Sequence, residues 1–369
     1  MDNMSFIADY YLTHSLSGKD NKWSNLPYPY NTLVYSGIYD GDMILGKDYT
    51  QPDKAGSFAY EMVSLYKMTG NKRYLTAAIN IANTLAKQTK VGDIDYSPLP
   101  FKVNTVTGEL GKLFDNEERT LQTNHSGYST NWSGTLRLFQ ELQGLNVGDT
   151  ASYKNSFDII LNWMKTYPLK NNKWGPFFED IPGWSDTQIN AITFAQFMMK
   201  NPDLFPNWKQ EVSGIFDWVY SVLGNKKWAK YGVTVVNEQT AYKVEGNSHT
   251  ARQAAVELYY TQLSGDTARI ANAIRQLNWA TYMIDNDGKN QYPNIQIWLI
   301  DGYSDYIRHY LRAMATLPTL APDNADHLLN STATIKEIQY FPNLKYGIWS
   351  IAMSEVDLTK GKKVFRQIL

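Results

Sequence analysis

The chain has 369 residues, 19% of them charged, and its 35 Lys and Arg against 36 Asp and Glu give a formal net charge of −1. It contains no cysteine, which excludes disulfides, thiolate zinc sites, iron–sulfur clusters and a cysteine nucleophile. The charge balance offers no polybasic surface, and apolar runs such as residues 191–199 fall far short of the roughly 20 residues of a bilayer span, so neither nucleic acid nor membrane is expected as a partner.

In chain order, a helix is expected first at about residues 4–14; residues 1–9 show no basic segment followed by an apolar core, so no secretory leader is read there and the compartment stays open. Phe58, Met62, Leu65 and Tyr66 then recur at helical spacing and predict a helix over 53–68. Gly70 supplies a left-handed residue to end it, and Asn71 caps a second helix over 72–88 with a stripe of Tyr74, Ala77, Ala78, Ile81 and Leu85. The same hairpin design recurs, with first helices expected at 130–143, 185–200, 247–263 and 302–315 and partners at 151–166, 208–222 and 266–283. Pairing the opening helix with the last one closes a ring of five hairpins. Beyond Pro318 and Pro322 the helical pattern lapses, and 334–340, 346–353 and 363–369 read as strands. The expected fold class is therefore mainly α, with a helical domain at 1–325 and a small C-terminal β segment at 326–369.

Links within hairpins are short, whereas the links between them, at 89–129, 167–184, 223–246 and 284–301, are long and aromatic-rich. In an alternating ring all the long links gather at one mouth, where loops on a rigid scaffold carry binding and catalysis. The chain's 11 Trp, 26 Tyr and 14 Phe suit a wet cleft in which flat ligands stack as well as they suit a core.

The turn from Leu65 through Thr69, Gly70 and Asn71 to Leu75 resembles the hairpin turns of the (α/α) toroid proteins related to six-hairpin glycosidases. The resemblance covers roughly residues 1–317, with five hairpins counted here against six in that group. It implies an (α/α) toroid, a site in the ring mouth and an oligo- or polysaccharide substrate; the superfamily includes glycoside hydrolases, polysaccharide lyases and a uronate epimerase class.

Polar residues recur where the first-type helices begin: Asp53; His125 with Asn131 and Trp132; Trp184 with Asp186 and Gln188; Glu245 with Asn247 and His249; Asp301 with Tyr303. Each suits a helix cap, but caps alone need no neighbouring Trp, His or Tyr at station after station. Glycoside hydrolysis needs two carboxyl groups, and Asp186, Glu238, Glu245, Asp301 and Asp305 are the candidates, with Asp186 leading and Asp301 or Glu245 as its partner. His249 and Arg252 lie three apart on one helical face and suit a uronate carboxylate. The expected function is a glycoside hydrolase acting on uronate-containing glycans. The runner-up is a lyase whose base is His125, His249, Tyr242 or Tyr303, with Arg252 neutralising the carboxylate. A third reading is a non-catalytic glycan-binding protein.

Trp132, Trp174, Trp184, Trp228 and Trp298 are the expected stacking faces, and Asn131, Gln188, Tyr242 and Asn247 the expected polar contacts to sugar. His309, inside a helix, reads as structural. No cofactor and no metal are expected: the 285–288 segment begins like a calcium loop but lacks its later ligands, and no zinc-protease, P-loop, dinucleotide or nucleophile-elbow motif occurs.

Overall fold

Capping chemistry sets the helix boundaries. The computed structural model describes residues 2–28, 48–111, 113–114, 122–123, 125–177, 184–282, 303–320, 334–343 and 348–357. After α1 (Asp2–His14), α2 (Pro52–Thr69) starts with a proline whose missing N–H costs nothing in a first turn. Gly70 ends it at φ 72°, and its N–H bonds the carbonyl of Tyr66 at 2.8 Å. Asn71 then accepts the N–H of Arg73 at 3.0 Å and opens α3 (Lys72–Gln88), with Tyr74, Ala78, Ile81 and Leu85 buried as expected. The later helices are α4 (Ser133–Gly144), α5 (Thr150–Thr166), α6 (Gln188–Lys200), α7 (Trp208–Leu223), α8 (Asn247–Ser264), α9 (Ile270–Tyr282) and α10 (Tyr303–Leu320). These ten fall on the segments read as helical, whereas a further four-residue helix among the described residues, Pro168–Asn171, lies in the link read at 167–184; α10 runs five residues beyond the expected end at 315, through Pro318.

Short strands pair in the connections: β1 (Tyr49–Thr50) with β2 (Val103–Asn104), β3 (Leu113–Phe114) with β4 (Gln122–Thr123), and β5 (Gly224–Asn225) with β6 (Val235–Val236). Near the C-terminus β7 (Thr334–Asn343) and β8 (Ile348–Asp357) form an antiparallel hairpin from Thr334 opposite Asp357 to Asn343 opposite Ile348. It matches two of the three expected strands; the third, at 363–369, and the expected boundary at 325/326 lie outside the described residues.

The chain divides into two compact units. The first comprises residues 1–197 with 239–242, the second residues 198–238 with 243–369. In the first unit α2 and α4 cross backbone to backbone. A Cβ added at Gly134 would stand 2.7 Å from the Ser57 Cα, and one at Gly56 would stand 3.0 Å from the Thr135 Cα. Neither obstacle is a side chain that can swing away. Gly134→Ala is therefore expected to destabilise the protein by about 2 kcal/mol through overpacking, measured as a lower urea midpoint at unchanged slope. In the second unit α8 is buried on nearly every side from Asn247 to Leu258. Its Ala251, Ala254 and Ala255 admit close packing of Ala273, Leu277 and Ala280 from α9 and Ala313, Met314 and Leu317 from α10. A helix enclosed in this way presents its first turn and polar side chains at fixed positions.

Candidate active site

In the first unit, the segment leading into α4 folds back on itself. Trp132 is fully buried, and its indole N–H donates to the Ser129 carbonyl at 2.6 Å, so its ring packs in the core rather than offering a stacking face. Trp174 is likewise fully buried. Asp53, on the first turn of α2, is also enclosed. It accepts the Lys54 N–H at 2.8 Å and the Ser129 hydroxyl at 3.2 Å, with a further bond from the Asn131 side chain. Burial raises the Asp53 carboxyl above the ordinary aspartate range against the lowering effect of the neighbouring Lys54 and of those donors. Asn131 thus serves Asp53.

Asp186 is anchored by tertiary donors. Its Oδ1 accepts the backbone N–H groups of Trp174 at 2.7 Å and Gly175 at 2.9 Å, and its Oδ2 accepts the Trp184 indole N–H at 3.0 Å. Its own N–H and C=O exchange bonds with the Thr240 hydroxyl at 2.9 Å and the Thr240 N–H at 3.0 Å. One oxygen fixes the 174–175 turn and the other holds the Trp184 ring, the task of a loop anchor. Trp184 is half-buried, with the Lys173 ammonium 5.0 Å from its ring centre. Gln188 is fully buried, and Tyr242 is half-buried.

The second unit gathers a different constellation. The strand-like residues 237 and 245 bridge antiparallel, and the Glu238 N–H bonds the Val244 carbonyl at 3.0 Å. Glu245 pins this arrangement: its buried carboxylate accepts the Lys227 ammonium at 3.0 Å and the Asn225 amide at 3.2 Å, while that amide also reaches Asn237 at 3.0 Å. Gly246 then leads directly into α8 in extended backbone, without a side-chain cap.

On α8 the three-residue spacing places His249 and Arg252 on one face, as read from the sequence. His249 Nε2 lies 3.3 Å from the Glu238 carboxylate, with both side chains almost fully buried. Arg252 Nε donates to His309 Nε2 of α10 at 3.1 Å, and both residues are buried. Burial first, and then the Arg252 charge with those of Arg308, Arg312 and His249, holds His309 far below the ordinary histidine range; it is a neutral acceptor throughout the working pH range. That His249 contributes to this field places it within electrostatic range of His309. Four groups therefore meet in one unit: an imidazole on a carboxylate, and a guanidinium on a neutral imidazole.

Of the other expected residues, Asp301 and Trp298 lie outside the described residues. His125 opens the 3-10 turn His125–Gly127 and Tyr303 opens α10, but the side chains of both lie outside the described set. Trp228 is half-buried and packs edge-on against Trp279 at 5.7 Å. Sequence reasoning set His309 aside and ranked Glu238 low. His309 looks like any helix-interior histidine until its partner 57 residues away is known. Glu238 carries no local motif beyond its place in a long inter-hairpin link. Among the described residues no group of three or more His, Asp or Glu side chains is gathered to hold a metal, and no helix is long and apolar enough to cross a membrane.

No protein-family model matches the chain, and no curated protein sequence does. Solved structures do match. Cellobiose 2-epimerase from Spirochaeta thermophila superposes over 85% of this chain and 79% of its own at a TM-score of 0.60 and 12% identity. A sugar epimerase from a ruminal bacterium covers 87% and 81% at 0.59 and 14% identity, and a D-mannose isomerase 77% and 75% at 0.51 and 10% identity. The likeness shows the fold: the chain is mainly α and has an (α/α) toroid architecture.

Proposed function

We propose that this (α/α) toroid protein is a carbohydrate-active enzyme that moves a proton at a sugar carbon, with His249 as the base. The single observation that carries the reading is the Glu238–His249 contact beside the Arg252–His309 pair. A C–H bond next to a carbonyl becomes breakable when a base takes the proton while a cation stabilises the negative charge arriving on the oxygen. Glu238 orients the imidazole of His249. His309 holds the plane of Arg252 so that the guanidinium meets a developing oxyanion. The C–H electron pair moves into the new C=C bond of the enediolate. Return of the proton from His249 to the neighbouring carbon, with the hydroxyl proton passing to the former carbonyl oxygen, gives an isomer; return to the original carbon after the enediolate has turned its other face to the imidazole gives an epimer. The similar structures named as epimerases and an isomerase favour these outcomes by analogy of fold.

A second reading, the lyase, uses the same residues on a uronate, with Arg252 neutralising the carboxylate and a glycosidic oxygen leaving in place of proton return. Paired-carboxylate hydrolysis draws less support, because Asp186 serves three donors and Glu245 is bound to Lys227.

Incubation with cellobiose or D-mannose in D2O is expected to place deuterium on the carbon beside the sugar carbonyl and to yield the epimer or isomer, read by NMR. An unsaturated, ultraviolet-absorbing product from a uronate oligosaccharide would move the assignment to the lyase. Cleavage with oxygen from water entering the product, and no carbon-bound deuterium, would overturn both.

A further inference from the structure

One buried polar group at the start of the helix that carries His249 and Arg252 is left unmatched. Asn247 opens α8, two residues after Glu245 and two before His249, and is 1% exposed. Among the described residues, neither its amide nitrogen nor its amide oxygen has a hydrogen-bond partner. Its neighbours are satisfied: Glu245, Asn225, Asn237 and Lys227 bond one another. Enclosing an amide with both its donor and its acceptor unanswered costs stability, and such a cost is retained where a ligand repays it.

We infer that the Asn247 amide is a substrate-reading group, and that it reads a pair of neighbouring hydroxyls on a neutral sugar. The donor–acceptor inventory selects that chemistry. An amide needs an acceptor for its nitrogen and a donor for its oxygen, and two adjacent hydroxyls supply one of each. A carboxylate supplies acceptors alone and would leave the Asn247 oxygen unmatched. Close to Asn247 in the chain, the charge of Lys227 is already met by Glu245. At this position hydroxyls rather than a carboxylate are read. The inference rests on the proposed site and names the substrate class for it.

The test compares Asn247→Leu and Asn247→Asp with the wild-type protein, using cellobiose and D-glucuronate as probes. In the absence of sugar, Asn247→Leu is expected to melt no lower than the wild type, because it removes an unsatisfied amide without removing a bond. Its affinity for cellobiose is expected to fall about 10- to 100-fold, and Asn247→Asp, which presents acceptors alone, is expected not to restore it. A lower melting temperature with unchanged cellobiose affinity would show a structural amide and overturn the inference. Preference of the wild-type protein for D-glucuronate, or failure to bind cellobiose, would overturn the substrate class. If cellobiose binds through Asn247 yet gains no deuterium, the proton-transfer reading fails while this inference stands.

Discussion

His249→Asn is expected to lower turnover about 10³-fold, the scale of a lost general base, while leaving the folded state and sugar binding in place. The measurement is deuterium incorporation per unit time at saturating sugar, with circular dichroism to confirm the fold. Glu238→Gln is expected to cost less, about 10²-fold, because an uncharged amide can still touch the imidazole but no longer stabilises it once it carries the proton. Arg252→Lys tests the other half of the site. Lysine keeps the charge but lacks the planar fork that His309 holds at 3.1 Å, so turnover falls although the charge count is unchanged. Full activity in His249→Asn would remove the base from the mechanism and return attention to the carboxylates of the first unit.

The second large effect concerns stability and lies away from the reacting groups. Glu257, in the body of α8, is 1% exposed, and burial pushes its carboxyl up to about 7 against the lowering influence of Gln253, Arg269 and Tyr220. Gln253 donates to it at 2.7 Å, while the nearest Arg269 nitrogen is 4.0 Å away, and Tyr220 accepts bonds from Asn272 and Gln276 at 3.0 and 3.1 Å. Asp217, which pairs with Arg269 at 2.6 Å, adds a raising influence. The folded state thus binds the Glu257 proton more tightly than the unfolded chain, whose ordinary value is 4.5. Unfolding free energy falls as pH rises from about 4.5 to about 7 and is level above, a loss of about 3 kcal/mol from this one group. Glu257→Gln has no proton to lose. Its stability relative to the wild type is therefore expected to climb by about the same amount between pH 4.5 and pH 8, measured by urea titration at each pH. A difference that stays flat across that range would show that the carboxyl is not the group titrating.

The fold was legible wherever the signal was local. Gly70 and Asn71 mark a helix stop and start by their own backbone chemistry, and the stripes of α2 and α3 need only periodicity. The end of α10 was less so, because prolines suggest a break that this helix takes within its last turn. At the candidate site, His249 and Arg252 could be read because three residues on a helix mean one face. Asp186 illustrates what could not be read. Its flanking tryptophan and position before α6 look catalytic, yet the donors that occupy it include backbone N–H groups 11 and 12 residues upstream. Backbone donors carry no residue identity, so no motif announces them. Glu238 was only one carboxyl candidate among five and His309 read as structural, because their partners, His249 and Arg252, are supplied only by the folded chain.

The glycine crossing of α2 and α4 also bears on how the first unit can move. Two helices that cross this closely have only the short side chains of Ser57 and Thr135 at the crossing to absorb a shift, so they translate as a single piece. Asp53 rides on one and its partners Ser129 and Asn131 lead into the other. Motions that bring sugar into or out of the protein are thus expected to spare this pair and to be taken up by the connecting segments, with the slowest amide exchange of the first unit at the crossing.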